Sequence, residues 1–225
     1  MTMEKSAFGP DFFYEVEPIK LKDPLAITLG AAKPDEFFIY TYADAVKMAG
    51  HSCPVVSGAY KLTQIALGQL YGKTKSSVVS RGDETPIRGD IKVTFGGDLD
   101  FQVNGPISQV VSLITGAAGE SGFHGLGGQR KFSRYNLLTF DSENEPEYAI
   151  CSVVFERIDT GRKVEITYDN EMLKWDDRLN ELMPLAVRGT ANAEQLALFG
   201  QLWQERVRIV LQEPPEGMFT VKVLK

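Results

Sequence analysis

The stretch YAICSVVFERIDTGRKVEITY, Tyr148 to Tyr168, decides the fold class. Tyr148 to Arg157 and Lys163 to Tyr168 are rich in β-branched and aromatic residues that alternate with polar ones. The Asp159-Thr160-Gly161 link between them is turn chemistry. Upstream, Tyr135 to Phe140 alternates in the same way and is joined to the pair by the turn-rich Asp141 to Pro146. Together these segments predict an antiparallel meander. Ile91 to Phe95 and Ser77 to Ser80 are further strand candidates, and Phe219 to Leu224 is a final one.

Helical patterning lies on either side. Tyr42 to Met48 shifts to helix formers and ends at Gly50, a natural helix stop. Pro54 to Leu70 is the clearest helix of the first half. A proline suits its first turn, Val55, Ala59, Leu62, Ile65, Ala66 and Leu70 recur at helical spacing, and Gly72 closes it. Pro106 to Thr115 predicts another helix, as do Asn170 to Val187 and Ala193 to Gln212, the last stopped by Pro214 and Pro215. Leu196, Phe199, Trp203, Val207 and Val210 form one apolar stripe of core or subunit-interface character. Leu25 to Leu29 alternates as a short strand would, and Phe37 to Tyr40 is aromatic and β-prone. Strands with segregated helices predict an α+β fold, a central antiparallel or mixed sheet flanked by helices. The expected organisation is an irregular lead-in over 1–36, an α+β core over 37–169 and a C-terminal helical extension over 170–225 that packs on the core.

The chain has 225 residues, 43% of them hydrophobic and 24% charged, with a net charge of -6, two cysteines and two histidines. A chain of this size buries roughly 70% of the surface its unfolded form exposes, so it needs no disulfide framework. The acidic balance and the lack of any long basic run argue against a nucleic-acid partner. No stretch approaches the ~20 apolar residues of a membrane span. The first 20 residues lack the unbroken apolar core of a signal peptide, and so few cysteines fit a reducing compartment. The cytoplasm is the expected location.

With so few soft ligands, a four-cysteine zinc finger and any three-histidine site are excluded. What remains is concentrated in Gly50-His51-Ser52-Cys53-Pro54. In extended backbone, residues two apart point the same way, so imidazole and thiol can converge on one ion. Cys53 directly precedes a helix, whose unpaired N–H groups and dipole favour a thiolate. Thiolate and neutral imidazole suit zinc and related transition metals. The alternative is a buried thiol beside a helix-capping histidine. His124 lies in the glycine-dense loop Gly116 to Gly128, whose backbone can bend close to a small-molecule ligand or move as a lid. Cys151 sits among apolar strand neighbours and reads as a core thiol. A haem or tetrapyrrole held by Cys53-Pro54 and histidine is a second reading. Hydrolase signatures are weak: no Gly-x-Ser-x-Gly is present, and a Cys53 nucleophile with His124 as base depends on their meeting in space.

Val46-Lys47-Met48-Ala49-Gly50-His51-Ser52-Cys53-Pro54, running into Gly58-Ala59-Tyr60 and an alanine- and leucine-rich helix, resembles the family of formylmethanofuran dehydrogenase E-chain-like proteins. That family opens with a helix, Gly-His-x-Cys-Pro-Gly and a second helix. Gln109 to Gly116, ending in Thr115-Gly116, resembles the family's later helix, and the similarity spans about Phe37 to Phe155. Val55 stands where the family usually has glycine, and Ala117 where cysteine is typical. An acidic residue near Ile107 or Ser108 is missing, as is the cysteine-rich zinc module that some members carry. The resemblance implies a metal-binding α+β protein of an often homodimeric kind, with zinc as the expected ion at His51 and Cys53; with the cysteine missing, the short supply of soft ligands leaves His124 as the candidate substitute. It does not imply formylmethanofuran chemistry, which belongs to a multi-chain molybdenum or tungsten complex. A non-catalytic accessory or structural subunit is the remaining alternative.

Overall fold

The computed structural model describes residues 8–72 and 85–224; the strand expected at Ser77 to Ser80 lies outside them. The chain begins with a short helix α1 (Phe12–Glu15), strand β1 (Ile19–Leu21), helix α2 (Pro24–Thr28) and strand β2 (Phe38–Tyr40). β1 and β2 pair antiparallel. From Phe12 to Thr28 the lead-in therefore carries regular elements where an irregular segment is expected. The strand expected at Leu25 to Leu29 is instead α2: the Asp23 carboxylate accepts from the Leu25 and Ala26 N–H groups, and Pro24 supplies the first helical residue. One capping carboxylate outweighs a weak alternation over five residues.

Helices α3 (Tyr42–Ala49) and α4 (Pro54–Tyr71) follow at the expected places. Asp44 Oδ2 accepts from the Thr41 backbone N–H and hydroxyl, both at 2.8 Å, which fixes the start of α3. Gly50, at φ +75°, ends it in a left-handed turn that glycine adopts without steric cost. Strand β3 (Ile91–Gly96), helix α5 (Asn104–Thr115), a 3₁₀ turn (Arg130–Phe132) and strand β4 (Leu138–Asp141) come next. Strands β5 (Cys151–Arg157) and β6 (Arg162–Tyr168) form the hairpin read from the opening stretch. Helices α6 (Arg178–Val187) and α7 (Ala193–Gln212) precede the last strand, β7 (Phe219–Leu224).

The main sheet has the order β4-β3-β5-β6-β7. The expected meander is half right. β5, β6 and β7 are antiparallel neighbours, but β4 pairs parallel to β3, which separates it from β5. The β3–α5–β4 connection is a helical crossover, and crossovers of this kind make parallel neighbours. Helix α6 also starts later than the periodicity predicts. The Asp169 and Asp176 carboxylates accept from the backbone N–H groups of Glu171 and Arg178, turning the preceding segment away from helix. The result is α+β: a five-stranded mixed sheet, helices on one face, and a C-terminal helical pair.

Ile91, Val93 and Phe95 of β3 and Val164, Ile166 and Tyr168 of β6 are buried against the helices. The opposite face is polar, with Thr94 bonded to Thr139, Ser152 to Glu165, and Lys163 and Lys222 near Glu156 and Glu165. One hydrophobic cluster runs from Phe13 to Met218, so the lead-in, the central segment and the C-terminal segment share a core. α4 lies at its centre, buried on nearly every side. It can lie this close because Gly58 has no Cβ: one built there would overlap the Tyr168 ring.

Gly58→Ala is therefore expected to cost about 1–3 kcal/mol by overpacking. Gly200→Ala, in the interior of α7 where an added methyl meets no neighbour within 4 Å, is expected to add about 0.4–1 kcal/mol. Urea unfolding midpoints of the two variants should move in opposite directions.

Candidate functional site

Gly50 turns the chain out of α3, and a few residues later Pro54 starts α4. Cys53 occupies the N-cap position with φ -151° and ψ 168°, fully extended, and its side chain caps no backbone N–H. Ser57 instead satisfies this corner: its hydroxyl lies 3.1 Å from both the Cys53 and Pro54 carbonyls, and its N–H donates to Cys53 O. The Cys53 thiol is thus left free of the helix it precedes.

A cleft of about 300 Å³ opens at this corner, between the end of α3, the start of α4 and the start of α5. His51 and Cys53 line it together with Met48, Val55, Val103 and Pro106. Its size falls at the small end of ligand-binding cavities. The two-residue spacing thus places both soft donors on one cavity. His51 Nδ1 lies 3.0 Å from the Ala49 carbonyl. A carbonyl oxygen only accepts, so Nδ1 carries the proton, and the neutral ring has its lone pair on Nε2. Metal-ligating histidines are commonly oriented in this way.

The residue between the two donors is held on several sides. The Ser52 hydroxyl donates to Gln204 Oε1 at 2.9 Å and lies 2.9 Å from the Tyr42 hydroxyl. The Ser52 carbonyl accepts from Trp203 Nε1 at 3.2 Å and Gln204 Nε2 at 3.3 Å. Tyr168 donates to the Pro54 carbonyl at 2.9 Å. Burial pushes the ionisation of Tyr42 and Tyr168 well above the usual phenol range, so both stay protonated donors.

His124 does not line this cleft. It is exposed and stacked on Tyr135 at 4.2 Å between ring centroids, within the glycine loop. A Cβ on Gly122 would meet the Arg134 carbonyl, and one on Gly125 the Phe132 backbone. These two glycines serve close packing of the loop on the chain that follows it. Ala117 lies past the C-terminus of α5, whereas the cleft is lined from the first turns of that helix. Among the described residues, no group of three or more His, Cys, Asp and Glu side chains is placed to hold a metal ion. The donor set at the cleft is His51 and Cys53. That pair falls short of the three or four protein ligands of an ordinary zinc site. It suits a metal whose remaining positions are filled by water, a small ligand or a second chain.

A larger hollow of about 480 Å³ lies on the polar face of the sheet, lined by Glu145, Glu147, Glu165 and Asp169 among others, without histidine or cysteine. Cys151 is fully buried, and burial pushes its thiol up to about 12. No helix among the described residues is long and apolar enough to cross a membrane.

Thiol titration separates the two cysteines. Native protein is expected to show one accessible thiol, lost in Cys53→Ala, while Cys151 reacts only after denaturant is added. Two fast thiols in the native protein would contradict the placement of β5. No protein-family model matches this sequence, and no curated protein matches it either.

Proposed function

We propose that the protein binds a transition metal, zinc by preference, through His51 Nε2 and Cys53 Sγ at the mouth of the α3–α4–α5 cleft. The observation that carries this reading is the convergence of the only His-x-Cys pair in the sequence on one apolar-walled cavity, with the histidine oriented through Nδ1. The resemblance to the formylmethanofuran dehydrogenase E-chain-like family supports it and implies a homodimer. His124 is left out of the ligand set.

A metal bound here would supply Lewis acidity to a molecule in the cleft. The chain's own contributions are separate. Cys53 would donate as thiolate, its proton released when the metal binds. Ala49 fixes which nitrogen of His51 is free. Met48, Val55, Val103 and Pro106 exclude water from one side. The small cleft volume favours a compact ligand over a tetrapyrrole.

The test is metal analysis and cobalt substitution of purified protein. One equivalent of metal per chain, with a sulfur-to-cobalt charge-transfer band, is expected in the wild type and in His124→Ala. Both signals should be lost in Cys53→Ala and strongly weakened in His51→Ala. A Soret band would instead establish the tetrapyrrole reading. Protein that stays colourless and metal-free after expression in replete medium would sink both readings.

A further inference from the structure

We infer that Gln204 and Trp203 of α7, with Tyr42 of α3, are positioning residues for the metal site, acting through Ser52. The inference rests on the metal reading of His51 and Cys53 and adds to it the source of their geometry. Ser52 lies between the two ligands, in a segment that belongs to no helix or strand. A loop of this kind sets ligand positions only as well as its backbone is held.

Here the holding is unusually complete. The Gln204 amide grips one serine by both of its polar groups, accepting from the hydroxyl at Oε1 and donating to the carbonyl from Nε2. Because the Ser52 hydroxyl proton is committed to Gln204, the Tyr42 O–H must donate to Ser52 Oγ. Trp203 adds a second donor to the Ser52 carbonyl, filling both of its lone pairs. Trp203 is itself braced, stacked on Phe199 at 5.7 Å and covered by the Arg206 guanidinium at 5.5 Å. The Ser52 hydroxyl and carbonyl are thereby both engaged by partners outside the loop. Rotation of the 51–52 or 52–53 backbone, which would swing imidazole and thiol apart, breaks several of these bonds together.

A role confined to docking α7 would look similar in a stability measurement, so the test reads the metal. Cobalt affinity and the ligand-field spectrum are measured in the wild type, Gln204→Leu, Gln204→Glu and Val210→Ala. Val210 is a fully buried α7 residue that makes no contact with Ser52 among the bonds above. Gln204→Leu, which loosens the segment between the ligands without removing a partner of either ligand, is expected to weaken cobalt binding by up to about 10-fold, the low end of the cost of losing a direct outer-shell partner, and to shift the ligand-field bands. Gln204→Glu keeps the acceptor but loses the donor, and is expected to fall between Gln204→Leu and wild type. Val210→Ala is expected to lower the melting temperature while keeping wild-type affinity and spectrum. Wild-type affinity and spectrum in Gln204→Leu would overturn the inference alone, as would an equal loss in Val210→Ala. A wild-type protein with no cobalt–thiolate band would overturn the metal reading along with it.

Discussion

The close approach of α4 to the sheet at Gly58 and Tyr168 is the constraint on which the rest of the structure depends. The absent side chain at Gly58 lets the Tyr168 ring lie against the helix, and the Tyr168 hydroxyl reaches on to the Pro54 carbonyl at the helix start. One aromatic residue therefore sets both the height of α4 above β6 and its position along its own axis. α3, α5 and α7 then pack around a helix whose placement is already decided. The cleft inherits this order, since its donors lie just ahead of the first residue of α4.

Buried tyrosines recur in this layer with one function. Tyr60 reaches the Glu17 and Tyr40 carbonyls, Tyr168 the Pro54 carbonyl and Tyr42 the Ser52 hydroxyl. Each presents a large apolar ring to the core and a single donor to a polar group that the core would otherwise strand. Burial raises the ionisation of all three, so none becomes a buried anion in the ordinary pH range. The loop between α3 and α4 is thus fixed by polar contacts made from inside a hydrophobic cluster, where an alternative partner is scarce and a broken bond is costly.

Much of this is readable from the chain, and the failures share a cause. α3, α4 and α7 are legible because caps and 3.6-residue periodicity are local properties, and Gly50 and Pro54 mark the edges of the candidate site. The β5–β6 hairpin is legible from its turn. Partner choice among strands is not local, so the parallel placement of β4 against β3 escapes a reading of alternation. α2 runs against its pattern because a single Asp23 side chain decides five residues. Counting available ligands groups His124 with His51 and Cys53, and the stacking on Tyr135 that holds it elsewhere has no counterpart in spacing. The Ser52 contacts are the least visible of all, since Gln204 looks like any polar residue on an amphipathic helix.

The separation of 152 residues between Ser52 and Gln204 also fixes an order of events during synthesis. At about 5–20 residues per second, the loop leaves the ribosome about 8–30 s before the helix that grips it. Throughout that interval the nascent chain carries Cys53 on a loop without its Gln204 and Trp203 contacts. Completion of the site is a late step in the maturation of this chain, whatever the sheet has done by then.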